Sequence, residues 1–354
     1  MKRSNSIDKK VSPSLSDVAK RAGVSPASVS RVLNGIQPIS ERLRVSVEEA
    51  ARELGYTPRN PKALRGSSAL AIFINDLQNP VFTEILTGIE DRAAAHAVNC
   101  ILMDLRGGRS AVEQVKSFLA GPCSLGFIVL GTALNERALL DLSSHGKIPL
   151  VIVNHVIRNP AIRSINIDFV KATYGAAVHL LNLRHRRFVF LGGSASSLVT
   201  QEKISGVRNA LRDAGLELAA GNIYSGQSTI DWGFQAMKSL LTLPGGDLPT
   251  AVVCSCDLIA LGVLHAIRSS GYSVPQDISV VGFDDIAMAC HSSPALTTIS
   301  PPKYKMGGLA VDLLLPHGAD PSPITDYVMM ESPLVVREST AVCADSTGNR
   351  SRIY

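Results

Sequence analysis

Residues 14–34 read SLSDVAKRAGVSPASVSRVLN, and their spacing predicts two short helices joined by a tight turn. Ser14, with Asp17 three residues on, forms a capping-box start, after which Val18, Ala19 and Ala22 give a narrow apolar face of small side chains. Gly23 ends the first helix. Ser25 can cap the next, Pro26 sits in the first turn where no hydrogen bond is lost, and Val29, Val32 and Leu33 recur at helical spacing. Ala27, Ser28, Ser30, Arg31 and Asn34 are left facing outward. This surface is slim enough to enter a DNA major groove and can hydrogen-bond phosphates and base edges. A third helix is expected from about Ser40, with Leu43, Val47, Ala50 and Leu54 on one stripe and Gly55 at its end. Bundles of this shape also occur in proteins that never touch DNA, and charge separates the two readings. Residues 1–66 hold 13 Lys and Arg against 6 Asp and Glu, a net of +7, while the remaining 288 residues are net −2. The basic excess is confined to the part that would neutralise phosphates.

The run DVAKRAGVSPASVSRVLNG at 17–35, followed by the third helix and ELGYTP at 53–58, resembles the headpiece of the lactose-repressor (LacI) family of bacterial transcription regulators. The likeness continues to VVREST at 335–340. It implies that the second helix lies in the major groove, with Pro26, Ala27 and Arg31 at the base-reading positions. A guanidinium can pair bidentately with guanine O6 and N7, so Arg31 is the expected guanine contact, while Pro26 and Ala27 offer only apolar contacts. Ser16, Ser25, Ser28 and Asn34 suit phosphates.

With about 60 of its 354 residues in the headpiece, the chain keeps a body too long for one ordinary domain. Its apolar runs, LAIFI from Leu70, GFIVL from Gly126, PLVIV from Pro149, FVFL from Phe188, AVVC from Ala251 and ISVVGF from Ile278, read as buried parallel strands separated by amphipathic helices. The expected fold class is therefore α/β: a small all-α helix-turn-helix headpiece plus two doubly wound parallel-sheet lobes. The resemblance implies a periplasmic-binding-protein-like core in which the chain crosses between lobes three times, near 166–172, 296–300 and 325–332. The expected divisions are a disordered arm at 1–12, the headpiece at 13–58, a hinge at 59–68, the core at 69–340 and a tail at 341–354.

Ligands of doubly wound sheets bind beyond the carboxyl ends of the strands, and two facing lobes make a cleft there. Asp76, Asn154 and Asp257 each follow an apolar strand, and Phe82 opens the helix after NDLQNP. An Asp or Asn at such a place can equally cap the next helix. The resemblance makes Asp257 the carboxylate expected to accept hydrogen bonds from an effector. Lys203 stands where many relatives carry Arg, Cys256 where Asn is common and Ser228 where some place an aromatic ring. Lys203 would suit an anionic effector such as a sugar acid, and Asp257 a neutral polyol. In PRNPKALRGSSA at 58–69, a hinge about three residues shorter than common by this alignment, Leu64 is the candidate wedge for the minor groove, flanked by Lys62 and Arg65.

These parts imply a homodimeric repressor on pseudo-palindromic operator DNA, controlled by a small sugar-like or sugar-acid effector between the lobes. Neither a cofactor nor a metal is expected. Cys100, Cys123, Cys254, Cys256, Cys290 and Cys343 lack paired CxxC spacing and read as buried free thiols of a reducing cytoplasm. No GxSxG elbow is present, and GGSASS at 192–197 lacks the lysine of a phosphate-cradling loop, so an enzyme is disfavoured. His185, within RHRRFVFLGG, is expected at a helix cap or on the surface. The polar, basic start MKRSNSIDKKVSPS lacks the apolar stretch of a secretory signal, which with the headpiece argues against an exported solute-binding protein and for a cytoplasmic, nucleoid-associated one. The tail has no leucine heptad, so a dimer is expected.

Overall fold

In the computed structural model, residues 14–33, 40–54, 56, 69–105, 113, 124–131, 137, 139–140, 149–156, 162–242, 248–315 and 327–344 are described. Asn34, Gly55, Leu64, Cys123, the expected arm and hinge and residues 345–354 of the tail lie outside them.

The headpiece is built as its capping residues dictate. Helix α1 spans Leu15–Ala22: Asp17 N–H donates to Ser14 Oγ at 3.3 Å, and Ser14 N–H returns a bond to Asp17 Oδ2 at 2.8 Å. The Ser14 hydroxyl, which donates to Asp17 Oδ2 at 2.6 Å, and then the Ser14 N–H hold the exposed Asp17 carboxyl below its usual range. Gly23 then turns left-handed at φ 68°, closing α1 through bonds to the Ala19 and Lys20 carbonyls. Ser25 Oγ accepts from Ser28 N–H at 3.1 Å and so caps α2, Pro26–Leu33. Helix α3, Glu41–Leu54, closes the bundle around Val18, Ala19, Val29, Val32, Val47, Ala50 and Ala51.

The body contains two six-stranded sheets, and every apolar run expected as a strand is one. In chain order the first lobe holds β1 (Ala69–Ile74), α4 (Val81–Ala95), β2 (Asn99–Asp104), β3 (Ser124–Leu130), β4 (Leu150–Val153) and β5 (Arg163–Ile167). The second follows with α5 (Phe169–Asn182), β6 (Phe188–Gly192), α6 (Leu198–Asp213), β7 (Ile223–Ser225), α7 (Ile230–Leu241), β8 (Ala251–Cys254), α8 (Asp257–Ser269), β9 (Ser279–Phe283), α9 (Ala287–His291) and β10 (Thr297–Ile299). The chain then returns through α10 (Lys303–Leu314) and β11 (Tyr327–Met330) to the first lobe and ends in β12 (Leu334–Val335) in the second. The sheet orders are β11-β5-β4-β3-β1-β2 and β12-β10-β9-β8-β6-β7. All pairings are parallel except β10 with β12.

Crossings between lobes thus fall at Asp168, between Ile299 and Lys303, and between Met330 and Leu334. Central strands are buried on both faces, which is why they read as unbroken apolar runs. One apolar cluster runs from Leu70, Ile72 and Ile74 of the first lobe to Phe190, Phe283 and Ile299 of the second.

Three helix pairs cross at glycines. A Cβ on Gly88 of α4 would lie 2.1 Å from the Tyr304 carbonyl oxygen, and one on Gly307 of α10 would lie 2.0 Å from that of Ile85. Gly233 and Gly262 do the same for α7 and α8, and Gly206 lets α6 meet α5. Backbone there touches backbone with no side chain between.

Candidate functional site

The outward face of α2 carries exposed Ser25, Pro26, Ala27 and Arg31, with Ser28 and Ser30 half-buried; Ser16 on α1 is also exposed. Val29 and Val32 face inward, so the helix offers its short polar side to solvent. Ser25 and Ser28 are hydrogen-bonded to one another through their hydroxyls at 2.9 Å.

In the body the carboxyl ends of the strands carry the chemistry. Asp257 is fully buried: Oδ2 accepts from Ile286 N–H at 2.9 Å and Oδ1 from the Thr298 hydroxyl at 2.6 Å. Burial, then the neighbouring Asp284 charge, push this carboxyl up to about 7. Asp257, the carboxylate the resemblance assigns to an effector, thus already accepts two bonds that tie it to the segment after β9 and to β10. Lys203 is likewise engaged within the protein. Its ammonium, with the residue 5 % exposed, donates to the Ser255 carbonyl at 2.8 Å and lies 3.4 Å from the Phe283 ring centre and 5.3 Å from that of Phe169. Burial lowers its pKa.

On the first lobe, Asp76 Oδ1 accepts from Gln78 N–H at 3.0 Å, an Asx turn in the loop before α4, whose N-cap is Pro80. Asn154 adopts the left-handed conformation at φ 59° at the end of β4. The Phe82 ring packs against Gly131, whose Cβ would come within 3.0 Å of it and 3.1 Å of Asn75 Oδ1. That Oδ1 atom is buried without a hydrogen-bond partner. Asn75, Gly131 and Asn154 thus stand side by side at the ends of β1, β3 and β4.

Sequence reasoning passed over Asp284 and Asp285, though two acids directly after a buried strand, GFDD at 282–285, are a readable signal. Both residues have positive φ, 110° and 50°, a conformation unusual outside glycine that persists where surrounding contacts over-determine it. Those contacts are present. The Lys303 ammonium donates to the Asp284 and Asp285 carbonyls, the Asp285 carboxylate pairs with Arg337 Nη2 at 2.7 Å, and Arg337 Nη1 donates to the Leu296 carbonyl at 2.8 Å. The Asp284 carboxylate accepts no hydrogen bond from the described residues, and the residue is 7 % exposed. Burial raises it to about 6 against the opposing pull of Lys203 and Lys303, so it is mostly ionised at neutral pH. Cys256 beside it is buried, and its thiol is pushed up to about 12 by burial, so it is neutral.

Two expectations about exposure are corrected. His185 is buried and not on the surface: its N–H donates to the Leu180 carbonyl at 3.1 Å at the end of α5, its Nε2 lies 3.0 Å from the Ala341 carbonyl, and burial lowers its pKa. Cys290 is exposed, whereas Cys254, Cys256 and Cys343 are buried and Cys100 partly so. No group of His, Cys, Asp and Glu suited to a metal occurs among the described residues. No described helix is long and apolar enough to cross a membrane. Away from the cleft, a cavity of about 400 Å³ opens at the amino end of the second sheet, by Arg186, Arg187 and Tyr224, but no strand carboxyl end reaches it.

Residues 14–59 match the model of bacterial regulatory proteins of the lacI family, and residues 177–340 that of the periplasmic binding protein-like domain. The HTH-type transcriptional repressor CytR of Escherichia coli (strain K12) is 32% identical over 92% of this chain and 96% of its own length. The ribose operon repressor of Haemophilus influenzae is 30% identical over 92% of this chain and 98% of its own. Among solved structures, the lac repressor dimer bound to operator and the anti-inducer ONPF aligns with a TM-score of 0.71 at 28% identity, covering 93% of this chain and 99% of that one. Headpiece, two-lobed core and near full-length similarity agree, and the chain belongs to the lacI family of helix-turn-helix transcriptional repressors with a small-molecule-binding core.

Proposed function

We propose that this protein is a homodimeric repressor that reads a pseudo-palindromic operator with α2 and is controlled by a hydroxyl-rich or amine-bearing small molecule, sugar-like in class, held in the cleft by Asp284. The observation that carries the ligand class is the Asp284 carboxylate, buried and with no donor among the described residues, beside two lysines whose ammonium groups are engaged by backbone carbonyls. A ligand donating O–H or N–H groups completes that site, whereas a sugar acid would set its own charge against it. Asn75, Asn154 and Phe82 supply the facing wall from the first lobe, and Asp76 frames its edge. Ribose and cellobiose are apt first probes, since one relative is a ribose operon repressor and the solved CelR regulator is a cellobiose complex.

At the DNA, Arg31 reads guanine, Pro26 and Ala27 make apolar base contacts, and Ser16, Ser25, Ser28, Ser30 and Asn34 hold phosphates, with Leu64 as minor-groove wedge. The cleft binds rather than turns over its ligand, and the protein works in the cytoplasm.

Selection of genomic fragments by the purified full-length protein at near-physiological salt, followed by sequencing, tests the first half: a short palindrome is expected, and enrichment by charge alone would refute it. Titration of ribose, cellobiose and gluconate, followed through the fluorescence of Trp232, the single Trp of the chain, tests the second. A neutral sugar is expected to bind the wild type and to lose about tenfold or more in affinity with Asp284→Asn; preference for gluconate would overturn the ligand class.

A further inference from the structure

Lys303 begins α10, just past the second crossing between lobes, and is 3 % exposed. Its ammonium has oxygen partners on both sides of the cleft. In the second lobe it donates to the Asp284 carbonyl and, at 3.0 Å, to the Asp285 carbonyl; in the first it pairs with Glu84 Oε2 of α4 at 3.2 Å. Two of its protons go to backbone carbonyls, and the Glu84 carboxylate balances its charge. A buried lysine is costly unless so satisfied, and loss of any partner leaves part of its charge uncompensated. The strained turn at Asp284–Asp285 and the first turn of α4 are therefore not independent.

We propose that Lys303 is the positioning residue through which the state of Asp284 is passed to α4 of the first lobe. This rests on the reading of Asp284 as the ligand-holding carboxylate. Neutralising or engaging that carboxylate shifts the turn whose carbonyls hold the ammonium, and the ammonium changes its hold on Glu84 in response. Asp285, clamped by Arg337, keeps the rest of the turn fixed, so movement is channelled to the Lys303 side.

Because no ligand is needed to change the charge of Asp284, a double-mutant cycle tests the coupling. Amide hydrogen exchange of residues 81–95 is measured in the full-length protein for wild type, Asp284→Asn, Lys303→Met and the pair. Asp284→Asn is expected to change exchange across α4 about fivefold or more, and by less than about twofold in the Lys303→Met background. Glu84→Gln, which leaves the lysine and its carbonyl bonds in place, is expected to block the response likewise, and Lys303→Arg to restore part of it. Should Lys303→Met fail to fold, the Glu84→Gln background decides. A response to Asp284→Asn undiminished without the ammonium or the Glu84 charge, or none in α4 at all, overturns the proposal. The readout involves no DNA and no ligand, so failure to find an operator would refute the proposed function while leaving this coupling to be judged separately.

Discussion

Asp257 and Asp284 sit near one another in a buried segment yet do different work, and the difference lies in their donors. Asp257 receives an N–H and an O–H from its own lobe and acts as a brace. Asp284 receives none from the described residues and is the group left to act on something else. The raised Asp257 carboxyl makes a pH prediction. Its folded value is about 7 against an ordinary 3.8, so the folded state keeps a proton that the unfolded chain releases. Its contribution to stability is full below about pH 4 and declines as pH rises to about 7. Urea unfolding at intervals across that window should show wild type losing stability relative to Asp257→Asn as pH rises, whatever the absolute offset. Parallel curves would mean that the carboxyl titrates normally. That Asp257 is a brace was not visible in the sequence, because DLIAL after a strand looks the same whether its acid faces a cleft or a neighbouring loop. Burial is a tertiary property.

At the scale of elements, apolar periodicity carried the central strands because burial on both faces leaves no polar alternation to misread. The short edge pieces were missed for the opposite reason: β7, IYS, has three residues and β12, LV, only two, too few for any period. Helix crossings were equally hidden, since a glycine in a helix looks like a defect until its neighbour is known. Two glycines separate the cases. In Gly262→Ala the new Cβ would meet the Ile230 carbonyl oxygen at 2.0 Å, backbone that cannot swing away. Thermal unfolding should show a loss of roughly 1–3 kcal/mol. Gly175, within α5, has nothing within 4 Å of an added Cβ, and Gly175→Ala should gain about 0.5–1 kcal/mol from helix propensity alone. Equal effects at the two sites would contradict the close crossing of α7 and α8.

For the whole molecule, the charge division of the chain predicts how it meets DNA. With net +7 before residue 67 and net −2 after it, attraction to phosphates belongs to the headpiece and the body adds little. Operator affinity should fall steeply and log-linearly with salt, and Arg31→Ala should leave that slope nearly unchanged while costing roughly 1–3 kcal/mol at one base pair per half-site. Filter binding across salt concentrations on matched and mismatched operators separates the outcomes: uniform weakening on every sequence, with a shallower slope, would make Arg31 a phosphate contact.

The close crossing of α4 and α10 governs how any such signal can travel. With Gly88 against the Tyr304 carbonyl and Gly307 against that of Ile85, no layer of side chains separates the two helices. A slip of one residue would drive a side chain into main-chain atoms. The pair consequently has one register and behaves as a single stiff strut, with Glu84 and Lys303 both near its cleft-side end. Strand β1 leads into α4, and the hinge expected at 59–68 leads into β1. A change in the hold of Lys303 on Glu84 therefore bears on the whole of α4 and on β1 before it, not on one turn alone.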